Sequence, residues 1–354
     1  MKLKDLGFDN WFADQIEKHH IADVSPARVA AVDKNSYMVR GDRGEAQAEL
    51  SGKMIFDTQS TLDYPAVGDW VAVQYYNDDT FAIVHDVLKR KTLLSRKTSG
   101  KQISHQLIAA NIDVALIMQS VDANFNLRRL ERYLVMAQEG GITPVITLSK
   151  TDLISESELS DKIEQIRRFN EKYRVLAFSS LIENGVENVK EMIEAGKTYC
   201  LLGSSGVGKT TLLNSLLGRE AFQVQDVRAG DGKGRHTTTR RQLTMLDQGG
   251  IFIDTPGMRE LGVFGIEGGL SDTFEDILSL AEGCKYSDCT HTKENGCAVI
   301  SALESGELDE KRYENYMKMK KESTYYEMSY LEKRRRDKSF GKMVKEVKKI
   351  KGMK

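Results

Sequence analysis

The chain has 354 residues, 40% of them hydrophobic, with 51 Lys/Arg against 52 Asp/Glu. That apolar fraction suffices for two or three packed domains, and a net charge of −1 creates no overall field that would demand a nucleic-acid partner. No apolar run reaches membrane-spanning length and residues 1–10 lack a signal-peptide core, so the expectation is a cytoplasmic protein with no membrane partner.

Residues 3–20 place Leu6, Phe8, Trp11, Phe12 and Ile16 at helical spacing and read as one short amphipathic helix. The pattern then changes. Val29-Ala30-Ala31-Val32, Tyr37-Met38-Val39, Trp70-Val71-Ala72-Val73 and Phe81-Ala82-Ile83-Val84 are short apolar runs, separated by turn signals such as Gly41-Asp42, Gly68-Asp69 and Asn77-Asp78-Asp79. A spacing of about ten residues predicts a small antiparallel barrel. An OB-fold is the leading choice and a frequent RNA binder; an SH3-like barrel has the same periodicity. Residues 112–121 open an α/β domain that runs to about residue 270, and from residue 271 the pattern is helical and charged. The expected division is a helical extension (1–24), an RNA-binding barrel (25–97), an α/β nucleotide domain (98–270) and a helical domain with a basic tail (271–354).

Within the α/β domain, residues 198–202 form an apolar run that leads into Gly203-Ser204-Ser205-Gly206-Val207-Gly208-Lys209-Thr210, and a helical pattern starts at Thr211. This strand–loop–helix order around G-x-x-x-x-G-K-[ST] is the phosphate-binding loop. Its glycines let backbone N–H groups surround phosphate oxygens, and the helix N-terminus adds positive potential. Lys209 is expected on the β- and γ-phosphates and the Thr210 hydroxyl on Mg²⁺.

The base is read from residues further upstream. The apolar run 144–148 is followed by Ser149-Lys150-Thr151-Asp152, a variant of the guanine motif N-K-x-D with serine in place of asparagine. A carboxylate at Asp152 can accept from guanine N1–H and the exocyclic amine together. Adenine offers no such pair, so a buried Asp152 would be left unpaired against it. Lys150 would lie along the base plane. Ser149 loses the amide but keeps a hydroxyl that can tie neighbouring loops. The run 174–178 ends at Ser179-Ser180, which can supply a backbone contact to guanine O6.

Downstream, Ile251-Phe252-Ile253 leads into Asp254-Thr255-Pro256-Gly257, a D-x-x-G element. Asp254 would hold Mg²⁺ through water and the Gly257 N–H would sense the γ-phosphate. Between lies Gly230-Asp231-Gly232-Lys233-Gly234-Arg235-His236-Thr237-Thr238-Thr239. It reads as a first switch, with Thr238 closing on Mg²⁺ and Thr237 and Thr239 as alternatives. Met258 follows the D-x-x-G glycine where many GTPases carry the glutamine that orients the attacking water. Slow intrinsic hydrolysis is therefore expected, with His236 as the local candidate for positioning the water. The guanine motif precedes the phosphate loop, the reverse of the ordinary order. The same sheet must therefore be built from a circularly permuted chain.

Three of the four cysteines fall in Cys284-x₄-Cys289-x-His291-x₅-Cys297. In a reducing compartment such a set is expected to ligate metal rather than form disulfides. Three thiolates and one imidazole fit a closed, structural Zn²⁺ site. Cys200, in the strand before the phosphate loop, reads as a small buried hydrophobe. Residues 333–354 carry eleven Lys/Arg against Asp337 and Glu346, a basic tail suited to an RNA surface.

Together the permuted order, the threonine-rich segment after Gly234-Arg235-His236, Asp254-Thr255-Pro256-Gly257, the Cys₃His cluster and Val67-Gly68-Asp69-Trp70-Val71 resemble the RsgA family over roughly residues 25–300. The resemblance implies an OB-fold, a permuted GTPase core and a zinc domain. It also implies late maturation of the small ribosomal subunit, with that subunit and its rRNA as partners and as stimulators of GTP hydrolysis to GDP. A monomer is expected. Met258 agrees with the hydrophobic residue usual there; Ser149 departs from the usual asparagine. Two other classes compete with this reading: a small-molecule kinase, disfavoured by D-x-x-G and the lack of an acceptor site, and a zinc-dependent nucleic-acid binder whose nucleotide only stabilises the fold.

Overall fold

The computed structural model describes residues 2–327 apart from 20, 22, 34–35, 98–104, 169–170, 221–240 and 254–266. Two compact units are present, Met1–Gly262 and Val263–Lys354.

The first unit starts with a 3-10 turn at Leu3–Leu6 and a helix α1 at Asn10–Glu17. The single helix expected over residues 3–20 is broken because Gly7 takes a left-handed backbone (φ 83°) and Asp9 caps α1. Leu6 and Phe12 are buried against Trp70 and Leu88.

Strands β1 (Ser25–Val32), β2 (Tyr37–Gly41), β3 (Gly44–Leu50), β4 (Trp70–Tyr76) and β5 (Phe81–Val87) close a barrel in the order β1-β2-β3-β5-β4, with a short helix α2 (Gly52–Asp57) between β3 and β4. A bulge between Val29 and Ala31 lets β1 pair with β4 at one end and β2 at the other. The parallel β3–β5 pairing and this strand order are those of an OB-fold. The barrel interior is small and branched: Ala27, Val29, Val39, Ala46, Ala48, Val71, Val73, Ala82 and Val84. β6 (Leu93–Lys97), expected at the end of the barrel, pairs instead with β7 (His105–Ala110) in a separate two-stranded sheet.

The α/β sheet runs β10-β9-β8-β11-β13-β12, where β8 is Val114–Ser120, β9 Thr143–Ser149, β10 Val175–Ala177, β11 Thr198–Leu202, β12 Leu243–Met245 and β13 Ile251–Ile253. All neighbours are parallel except β12 with β13. Helices α3 (Leu127–Glu139), α4 (Glu156–Arg167), α5 (Glu187–Lys190) and α6 (Lys209–Leu217) connect or follow the strands. Alternation along β8 splits its side chains between two cores. Ala115 and Ile117 pack with Leu130, Leu134 and Ala137 of α3, while Leu116 and Met118 pack with Leu212, Leu213 and Leu216 of α6. Burial on both faces is what makes these strands continuously apolar. Cys200, at the sheet centre, is fully buried, and burial pushes its thiol up to about 12.

Barrel and sheet meet at Arg28, 1% exposed, in β1. Its guanidinium donates to the carbonyls of Leu6 (2.5 Å), Gly68 (3.2 Å) and Asn111 (3.0 Å) and to the Thr198 hydroxyl (2.8 Å) at the start of β11. Burial lowers its pKa to about 10, so it stays charged at neutral pH. Beside it the fully buried Asp69 accepts two bonds from Arg90, each 2.8 Å, and one from the Ala66 N–H.

The second unit contains α7 (Glu267–Thr273), α8 (Glu275–Glu282), α9 (Ala298–Ser305) and α10 (Glu310–Glu327), with a loop at 283–297 between α8 and α9. No strand lies in it among the described residues. No helix of the described residues is long and apolar enough to cross a membrane.

Candidate nucleotide site and metal centre

The carboxyl ends of β8, β9, β10 and β11 lie along one edge of the sheet, the position at which α/β sheets bind ligands. The phosphate loop leaves β11 there. A Cβ at Gly203 would stand 2.6 Å from the Met118 carbonyl oxygen, so only glycine lets the loop pass β8. Gly208 takes φ 94° as the residue before α6, again a glycine conformation. Val207 is fully buried and anchors the loop. Lys209 opens α6, and its ammonium donates to the carbonyls of Gly203 and Ser204, 2.7 Å each. Thr210 and Thr211 sit half-buried in the first turn of α6, and Ser205 and Gly206 complete the loop.

The guanine motif is tied to this loop. Ser149, 2% exposed at the end of β9, donates its hydroxyl to the Val207 carbonyl at 2.6 Å. Lys150 has a left-handed backbone (φ 62°), which turns the chain into the 3-10 segment Thr151–Leu153. The Thr151 N–H reaches the Phe178 carbonyl at 3.4 Å. The Ser179 hydroxyl donates to Asp152 Oδ1 at 2.5 Å and also accepts from the Leu181 N–H at 3.1 Å; Ser180 is half-buried beside it. The buried Asp152 of the sequence reading is a point of difference. Its residue is exposed, in the short 3-10 turn Thr151–Leu153 that follows the end of β9.

Asp122, Asn124 and Arg129 are absent from the sequence reading. The loop after β8 carries Asp122, whose Oδ2 accepts from Lys150 Nζ at 2.9 Å and whose Oδ1 accepts from the Ser120 hydroxyl (2.7 Å) and the Asn124 N–H (2.9 Å). Burial pushes this carboxyl up, but the Lys150, Ser120 and Asn124 bonds outweigh it and hold it below the usual carboxylate range. The Asn124 amide donates to the Ser205 carbonyl at 3.3 Å and accepts from Arg129 at 2.7 Å. No motif signals these residues; only proximity to the ends of neighbouring strands could have. His236 and Thr238 of the first switch, and Asp254, Gly257 and Met258, lie outside the described residues, as does the basic tail.

In the second unit Cys284, Cys289, His291 and Cys297 converge, with their ligand atoms all within 4.8 Å of one another. Cys284 Sγ lies 3.6 Å from His291 Nδ1 and 3.9 Å from Cys297 Sγ, and Cys297 Sγ lies 3.6 Å from His291 Nδ1. A tetrahedral Zn²⁺ with its ordinary bond lengths requires sulfurs about 3.8 Å apart and sulfur–nitrogen separations of about 3.6 Å. The residues fit the ion. The loop is shaped for it. His291 has φ 59°, and its carbonyl accepts from the Tyr313 hydroxyl at 2.6 Å. The Glu294 carboxylate gathers the Thr290 hydroxyl and the N–H groups of Thr290, Thr292 and Lys293, which hold it well below the usual range. Cys297 caps α9 by accepting from the Ile300 N–H, so the positive end of that helix faces the sulfurs.

A permuted strand order, a phosphate loop wired to a guanine motif and a Cys₃His centre define a circularly permuted GTPase with an OB barrel and a zinc-type module. The RsgA GTPase family model matches residues 87–264. The chain is 40% identical over 345 residues to small ribosomal subunit biogenesis GTPase RsgA 1 of Bacteroides thetaiotaomicron, covering 97% of this chain and 95% of that protein. It is 42% identical over 327 residues to RsgA 2 of Listeria monocytogenes, covering 92% and 90%. Among solved structures, YjeQ from Thermotoga maritima aligns with a TM-score of 0.61 at 28% identity, over 84% of this chain and 97% of that one. YloQ, described as a circularly permuted GTPase, aligns with a TM-score of 0.60 at 25% identity, over 88% and 99%. The chain belongs to the RsgA GTPase family.

Proposed function

We propose that this protein hydrolyses GTP at the phosphate-loop site and uses that cycle in late maturation of the small ribosomal subunit in the cytoplasm, acting as a monomer. The observation that carries the nucleotide half is the Ser149–Val207 bond, which fastens a base-reading segment directly to a phosphate-reading one. An ATP-using kinase has no use for that pairing of motifs. The subunit half is supported by the relatives, which are named as small-subunit biogenesis GTPases.

In this reading Lys209 leaves the carbonyls of Gly203 and Ser204 for the β- and γ-phosphates, and the loop N–H groups hold the remaining oxygens. Thr210, Thr238 and Asp254 would hold Mg²⁺, which when bound neutralises charge on the transferred phosphate. Asp152 pairs with guanine's two donors, with Ser179 orienting its carboxylate and Ser180 near O6. Gly257 senses the γ-phosphate, and His236 positions water in place of the missing glutamine. Cys284, Cys289, His291 and Cys297 hold one structural Zn²⁺. The barrel and the second unit dock on rRNA.

The test is the GTPase rate of the purified chain with and without purified small subunits. At least tenfold stimulation is expected, which needs only about 1.4 kcal/mol of transition-state stabilisation. A subunit without effect would remove the ribosomal half of the reading, and equal affinity for ATP and GTP would remove the nucleotide half.

A further inference from the structure

The register of the sheet sets Ser120 at the end of β8 opposite Ser149 at the end of β9. The next residues of the two strands therefore emerge side by side. Lys150 is one residue beyond its strand and Asp122 two residues beyond its own, and their charges meet at 2.9 Å. The two oxygens of Asp122 are used differently. Oδ1 is fixed within its own loop by Ser120 and the Asn124 N–H, and Oδ2 is presented to Lys150.

We propose that Asp122 is a positioning residue for Lys150 and, through it, for the guanine base, an inference that rests on the nucleotide reading above. A lysine at the rim of a sheet, about a third exposed, has four rotatable bonds and large rotamer entropy. Nothing in the N-K-x-D pattern itself makes its stem straight. The left-handed backbone fixes one end of Lys150 and the Asp122 carboxylate fixes the other. A four-carbon stem held at both ends is a flat apolar strip on which a purine can stack without first freezing the side chain. That ordering is then complete before the ligand arrives, which is how preorganisation raises affinity.

The same loop holds the phosphate side. Asn124, gripped by Arg129, donates to the Ser205 carbonyl, and the Asn126 N–H donates to Gln119. These bonds keep the loop in place independently of Lys150. Loss of the Asp122 charge is therefore expected to act on the base and not to unravel the loop.

The experiment is a calorimetric cycle with GDP on the full chain, comparing the parent, Asp122→Asn, Lys150→Ala and the double variant. Asp122→Asn should weaken GDP about tenfold, equivalent to about 1.4 kcal/mol. In the Lys150→Ala background the same change should have no further effect, because the residue it acts through is gone. Lys150→Met keeps the length of the stem, leaves the Asp122 loop intact and removes the held charge; it should lose as much as Asp122→Asn. This variant decides the question if Asp122→Asn lowers the unfolding midpoint. Parent-like binding by Lys150→Met, or an equal tenfold loss on adding Asp122→Asn to Lys150→Ala, would overturn the inference. A parent chain that does not prefer GDP to ADP would instead overturn the nucleotide reading beneath it.

Discussion

In residues 1–262, apolar clusters line both faces of a six-stranded sheet and another fills the barrel. Among the described residues of 263–354 there is no sheet, and four ligand side chains gather a loop between two eight-residue helices. The first unit derives its order from buried area, spread over many residues, so no single side chain decides it. The second concentrates its order at one point. Burial of a few groups such as Phe274, Ile277, Val299 and Tyr316 leaves the loop 283–297 dependent on what the cluster binds. A small core stapled by metal is the usual solution at this size.

The sharpest way to break the comparison is to remove the metal. Structural zinc contributes apparent folding free energy of about 10–16 kcal/mol in small modules. Chelation, or Cys297→Ser, should expose residues 284–305 to protease and reduce helical signal, while GDP affinity stays unchanged. Parallel loss of GDP binding would show that the two units do not stand on separate foundations. Elemental analysis of protein purified without chelator should give one Zn²⁺ per chain.

Among the described residues each unit has one buried arginine, Arg28 and Arg312, which allows a finer comparison. Arg28 serves four acceptors, all at buried positions. Arg28→Met leaves three carbonyls and Thr198 without that donor and should cost about 3–5 kcal/mol in urea unfolding. Arg312 is held by both oxygens of Asp276 (2.6 Å each) and by the Thr273 carbonyl (2.9 Å), over the Phe274 ring at 4.6 Å. The Asp276 side chain is 36% exposed, so water can replace the lost partner. Arg312→Met should therefore cost about 1–3 kcal/mol. Equal costs would mean that the exposure of the acceptors does not govern the difference.

What was legible in the sequence follows how far each feature reaches along the chain. β11, the phosphate loop and α6 are contiguous, and their apolar period and glycines announce them. The doubly buried strands β8, β9 and β13 read as apolar runs for the same reason. β3 was missed because it alternates Ala46 and Ala48 with Glu45, Gln47 and Glu49, and alanine carries little strand signal. The break at Gly7 was missed because helical spacing continues across it. Arg28 looks like any strand arginine until the structure brings Thr198 to it from 170 residues away. Asp122 and Asn124 act across 28 and 81 residues, so no local pattern contains them.

Ser149 offers the smallest and most exacting test of how the first unit builds its site. The chain has serine where asparagine is usual, and the hydroxyl carries the link between base loop and phosphate loop. It has one proton, and at 2.6 Å that proton belongs to the Val207 carbonyl; the Gln119 carbonyl, at 3.3 Å from the same oxygen, has only what is left. Ser149→Ala removes the link and leaves a buried carbonyl without its partner, a cost of about 1 kcal/mol. The bond is made in the free protein, so that cost should lower the stability measured by unfolding, and because the link also shapes the loop that meets the phosphates, GDP binding should weaken about fivefold as well. Ser149→Asn supplies two donors, one for each carbonyl, and should bind GDP more tightly than the serine parent. If alanine binds as well as serine, the bond seen between Ser149 and Val207 contributes nothing to the site, and Val207 packing with the Asp122–Lys150 and Asn124–Ser205 bonds is enough to hold the two loops.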